Sequence, residues 1–127
     1  MSVHTAAARA VTDALSNAAT LLRQHGLCRG CVHDTGDRLD IIGALQAVTH
    51  DGLTLAELPY NAMIPDTPGN AIYWEALHAA QQAGEDFTGG CGDLGQVNDN
   101  YCRDVEAAAV LLEQAATRYA ATHPAVA

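Results

Sequence analysis

Apolar positions along this chain recur with helical spacing. Val11, Leu15, Ala18 and Leu22 are separated by four, three and four residues, which places them on one face of a helix spanning residues 5–25. Ala7, Ala8, Ala14 and Ala19 widen that face. Gly26 follows His25 as a C-terminal glycine, and His25 suits the negative end of the helix dipole. A glycine-containing loop over 27–37 comes next, with room for a short extended piece. Ile41, Leu45 and Val48 then mark a second helix, predicted over 37–50 with Asp37 as N-cap.

Leu53-Thr-Leu-Ala-Glu-Leu58 is the sharpest local signal. Thr54 and Glu57 form a capping box, Leu53 and Leu58 a hydrophobic staple, and Pro59 keeps the helix short. Thr67-Pro68 opens a fourth helix on which Ile72, Ala76, Ala79, Ala80 and Ala83 share a side, with Gly84 predicted to close it. A second glycine-rich loop covers 84–97. The last helix is predicted to be capped by Asn98 or Asp99 and to reach Thr122, burying Val105, Ala108, Ala109, Leu112, Ala115, Ala116 and Tyr119. No run of β-branched residues alternates with period two. The pattern therefore predicts an all-α fold: a single-domain bundle of about five helices with two glycine-containing loops, over residues 1–127.

Composition sharpens this picture. Apolar residues make up 49% of the chain but aromatic ones only 5%, so alanine carries much of the core and close helix contacts are expected. A chain of 127 residues suffices for an independent core. No window is long and apolar enough for a membrane span, and the first residues lack the pattern of a secretory signal, so a cytoplasmic location is expected.

Six basic residues, all arginine, stand against fifteen acidic ones, giving a formal charge of −9. That sign opposes a phosphate backbone and disfavours direct nucleic-acid binding. It leaves room for a protein partner that itself binds DNA. The absence of lysine removes any phosphate-loop lysine and disfavours nucleotide hydrolysis.

Candidate chemistry centres on Cys28, Cys31, Cys91 and Cys102. Cys28-x-x-Cys31 offers two thiolates at the spacing of a zinc clamp, with His33 two residues on; Cys91 or Cys102 would have to complete the tetrahedron. Without a second Cys-x-x-Cys, plain thiols on a glycine loop explain the element at least as well, and a disulfide from Cys28 or Cys31 to Cys91 or Cys102 is a third option. No cofactor is required by this pattern; zinc is the one it would accommodate. A cysteine nucleophile, Cys28 or Cys31 with His50 or His78 as base, needs a proximity that spacing does not fix. Asp34, Asp37 and Asp40 lack the regular spacing of a calcium loop and are explained by capping and turns. Tyr73, Trp74 and Phe87 on or beside the fourth helix are the candidate binding residues, weighed against the commoner role of such rings in a core.

Three stretches together resemble a known family: Leu21 to Gly30, ending in Cys28-Arg29-Gly30; Gly36 to Leu45, with Gly43-Ala44-Leu45; and Val97-Asn-Asp-Asn-Tyr-Cys-Arg-Asp-Val105, followed by Leu111-Leu112 and Ala115-Ala116. This group of small actinobacterial and phage-associated proteins of unknown function shows a Trp-Cys-x-Gly element after a first helix, a Gly-Ala-Leu helix and an Asn-Asp cap before a last helix. The resemblance covers most of residues 15–118. Leu27 stands where the group has tryptophan, and Asn100-Tyr101 where it has Pro-Gly. The resemblance implies one helical domain and brings no activity.

The leading expectation is therefore a small acidic helical binding or accessory protein acting through a protein partner. Its sharper form is a phage- or plasmid-type regulator that covers a basic, nucleic-acid-binding surface. A zinc-stabilised protein and a small cysteine-dependent enzyme are the alternatives.

Overall fold

A computed structural model describes residues 7–29, 38–49 and 68–123. Five α-helices appear in it: α1 (Ala8–His25), α2 (Ile41–Thr49), α3 (Pro68–Thr88), the single turn α4 (Leu94–Gln96) and α5 (Val105–Thr122). A π-helical turn, Val97–Tyr101, continues α4. Helix accounts for 81% of the described residues, with no strand among them, and the all-α bundle is as the sequence pattern predicts. The expected helix around Leu53–Leu58 lies outside the described residues, as do Asp37 and Thr67.

α1 packs chiefly along α5, and α3 covers both. Arg23 near the end of α1 reaches Glu106 near the start of α5, so those two helices run antiparallel. The interface is alanine-lined. Ala18, Ala19, Ala76, Ala80, Ala108 and Ala109 are fully buried beside Leu15, Leu22, Leu45, Leu111 and Leu112. Small side chains let helix axes approach closely, and leucines fill the remaining space. Ala7 departs from the predicted α1 face and is exposed.

Helix ends explain where the boundaries shift. Gly26 has φ +91° and its N–H donates to Leu22 O at 2.7 Å, closing α1 as its position predicts. The chain then runs extended, and Leu27 pairs with Leu39 in an isolated parallel bridge. α2 begins at Ile41 because Asp40 is its cap: Asp40 Oδ1 accepts the Gly43 N–H at 2.6 Å.

Gly84 does not end α3. It is buried in mid-helix, and a Cβ there would lie 3.3 Å from Val97 Cγ2, so glycine admits the 91–97 segment. The helix closes at Gly89, φ +81°, with the Gly90 N–H donating to Glu85 O at 2.8 Å in a Schellman arrangement. Thr88 Oγ1 accepts the Cys91 N–H at 2.7 Å and steers the chain away.

The start of α5 also moves. Asp104, not Asn98 or Asp99, is its N-cap, its Oδ1 accepting the Ala107 N–H at 2.9 Å. Asn98 and Asp99 belong to the π-turn.

Candidate functional site

Two regions gather side chains that the fold alone does not call for. The first is a polar junction where the loop after α1, the start of α2 and the π-turn meet. Asn98 is fully buried there. Its Oδ1 accepts the Ile41 N–H at 3.1 Å, and its Nδ2 donates to Cys28 O at 2.9 Å and to Asp99 Oδ1 at 3.0 Å. One amide thus caps α2 and fastens the α1 loop to the π-turn. From outside, Arg29 Nη1 donates to the carbonyls of Asn98 (2.9 Å) and Asp99 (2.8 Å), and Nη2 to those of Cys102 (2.6 Å) and Arg103 (3.2 Å). A planar guanidinium has the donors in the fixed fork this requires.

Asp40 is buried beside this junction. Burial, reinforced by the Asp99 carboxylate, pushes its pKa up to about 6, against the pull of the N–H groups at the α2 start. The Tyr73 phenol is likewise raised by burial.

The cysteines divide. Cys28 and Cys102 are both buried at the junction, whereas Cys91 lies in the loop after α3, partly exposed. Cys91 and Cys102 are free thiols, so no disulfide ties the α1 loop to the last helix through either; Arg29 and Asn98 make that tie. Burial raises Cys102 to about 11, leaving it a neutral thiol and a poor nucleophile at ordinary pH. Among the described residues, no three His, Cys, Asp or Glu side chains are gathered to hold a metal ion. Cys31, His33 and His50 lie outside the described residues.

The aromatic residues divide too. Tyr73 is 2% exposed and belongs to the core, while Trp74 and Phe87 are 42% and 45% exposed. Tyr73 and Trp74 meet edge-on at 5.2 Å. Phe87 lies thirteen residues further along α3, about 20 Å away at helical rise, so the three do not form one patch.

Phe87 instead joins the second region, a groove between the end of α3 and α5. It consists of two adjoining depressions of about 440 and 330 Å³ that share Val110 and Gln114. Ala83 lies in the first; Phe87, Ala107 and Leu111 lie in the second. Val110 is 37% exposed on the outer side of α5. Val110 is a lining residue that the sequence candidates do not include. Its signal was available: it is a β-branched apolar residue off the buried stripe of its own helix. Further along the α3–α5 pair, and sharing Arg118 with the first depression, a smaller polar depression of about 240 Å³ holds His78, Glu75, Tyr119 and His123. His123 stacks on Tyr119 at 3.8 Å, with its Nδ1 2.9 Å from Tyr119 O.

Arg23 ties the rim of the groove together. Its Nη2 meets Glu106 Oε1 at 2.7 Å and its Nη1 meets Glu113 Oε2 at 2.8 Å, and hydrogen bonding to it holds both carboxyls below the ordinary glutamate range. Arg118 pairs with Asp86 across the groove.

The fold and its surfaces define a small helical bundle locked at one end by a buried amide and open along an apolar groove on one side. The chain matches a family of unknown function, DUF6197, over residues 6–118 and belongs to that family. Neither curated proteins nor solved structures give a match. No helix among the described residues is long and apolar enough to cross a membrane.

Proposed function

We propose that this protein is a binding or accessory protein that acts by holding a protein partner on the α3–α5 face. The observation that carries this is the pair of adjoining apolar depressions with Phe87 and Val110 exposed over them. An apolar residue left in water on the outer side of a helix contributes nothing to its own core, and contiguous patches of this kind mark interaction surfaces. Such an interface places aromatic and aliphatic anchors at its centre and charges at its rim, which is how Phe87 and Val110 are set among Asp86, Glu106 and Glu113. In its sharper form the protein is a regulator of phage or plasmid type that covers the basic surface of a nucleic-acid-binding protein. The charge of −9 favours such a partner.

The test is reconstitution. A protein captured on the immobilised chain is purified and remixed with wild type and with Val110→Asp and Phe87→Ser, each checked for unchanged helicity. Loss of the complex with both variants supports the reading. A reconstituted complex that survives both contradicts it.

A further inference from the structure

Resting on the partner-binding reading, we infer that the occupant of the groove is a cationic amphipathic α-helix of another protein. Shape comes first. The α5 residues lining the two depressions run from Glu106 to Arg118 along one face, about 18 Å or a little over three helical turns, with Arg103 and Asp104 just before the helix. Ala107 lies in one depression and Thr117 in the other, with Val110 and Gln114 common to both. Ala107 and Thr117 lie ten residues apart, about 15 Å or nearly three turns along the helix. A guest helix with large apolar residues at i, i+3 or i+4, and i+7 carries an apolar stripe about 10 Å long, which fits within that length.

Charge selects among such helices. The rim carries four carboxylates, Asp86, Asp104, Glu106 and Glu113, against three guanidinium groups, Arg103, Arg118 and the bridging Arg23. Arg118 already faces Asp86, and Glu106 and Glu113 share the single Arg23. Arg29 is turned onto backbone carbonyls. Arg23, Arg29 and Arg118 are thus engaged by the chain's own acceptors, and the formal charge of the whole chain is −9. An incoming helix meets the negative field of a chain of net charge −9, and lysine or arginine flanking its apolar stripe meets a rim where carboxylates outnumber guanidinium groups. An acidic or neutral guest of the same shape lacks this attraction, and so does a second copy of this chain.

The probe is a labelled, amidated 18-residue peptide with leucine at i, i+3, i+4 and i+7 and lysine elsewhere on the outer face. Two controls share its length: the same peptide with every lysine replaced by glutamate, and a scramble of the cationic peptide with no apolar stripe. The full chain is expected to bind the amphipathic cationic peptide at least about tenfold more tightly than either control. Val110→Asp is expected to weaken it by about tenfold or more, and affinity is expected to fall as salt rises. Equal binding of the scramble, or equal binding by Val110→Asp, overturns the inference. So does concentration-dependent self-association of the chain that Val110→Asp abolishes, since that makes a second copy the occupant. These failures are distinguishable from failure of the broader reading. A natural partner that is lost with Val110→Asp and Phe87→Ser, but is matched by the acidic peptide, leaves partner binding standing and removes only the cationic helix.

Discussion

The side chain of Asn98 caps a helix 57 residues earlier in the chain: its Oδ1 accepts the Ile41 N–H at 3.1 Å while its Nδ2 donates to Cys28 O at 2.9 Å. An amide placed this way serves the orphan donor of one helix and the carbonyl of a separate loop. Truncation to Asn98→Ala leaves both unsatisfied and buried. The expected loss is about 2–4 kcal/mol, measured by denaturant unfolding. An effect within error of wild type would mean that the junction is not the lock described above.

Asp40 sets the pH dependence of that junction. Its folded pKa, about 6, exceeds its ordinary value of 3.8, so the folded state holds the proton more tightly than the unfolded chain. The associated stability is complete below the ordinary value and is lost as pH rises through about 6. Asp40→Asn retains an oxygen for the Gly43 N–H and removes the titration. The variant is expected to gain on wild type between pH 4 and pH 7 by up to about 3 kcal/mol. A stability difference that stays flat across that range contradicts the buried, titrating carboxyl.

Arg29 holds four carbonyls with one rigid fork. Lysine brings the charge but a single nitrogen. Arg29→Lys is expected to accelerate hydrogen exchange of the Cys102 and Ile41 amides, while exchange in the middle of α1 stays unchanged. Protection unchanged at Cys102 would show that the clamp is dispensable.

Gly84 within α3 and Gly89 just beyond its end separate conformation from space. Nothing lies within 4 Å of a Cβ at Gly89, whose φ is +81°, so Gly89→Ala tests strain alone and is expected to cost about 1 kcal/mol. At Gly84 the backbone is helical and the neighbour is Val97 Cγ2 at 3.3 Å, so Gly84→Ala exchanges a propensity gain against a displaced Val97. Thermal unfolding of the two variants reads the difference; a Gly89→Ala variant as stable as wild type would contradict the left-handed closure of α3.

These positions show what was legible in the sequence and what was not. Periodicity places α1, α3 and α5 and puts their alanines inside, because burial is imposed residue by residue along a helix face. Gly26 and Pro68 mark helix ends through local backbone chemistry. The misreadings share a cause. Asn98 looks like the cap of the helix that follows it, and its true partner, Ile41, is brought beside it only by the fold. Gly84 reads as a stop because the packing of Val97 against it is invisible locally. The candidate site was partly legible. Phe87, a candidate from its aromatic character, is exposed over the groove, Tyr73 is core, and Val110 is marked only by its place off the buried stripe.

Occupation of the α3–α5 face by a cationic amphipathic helix is read most directly by backbone amide NMR of the full chain titrated with the amphipathic cationic peptide. Shifts are predicted to concentrate at Phe87 and from Ala107 to Gln114, with the junction around Asn98 unmoved. Shifts centred on Trp74 or on the His78–His123 depression, or no saturable shifts at all, would contradict it.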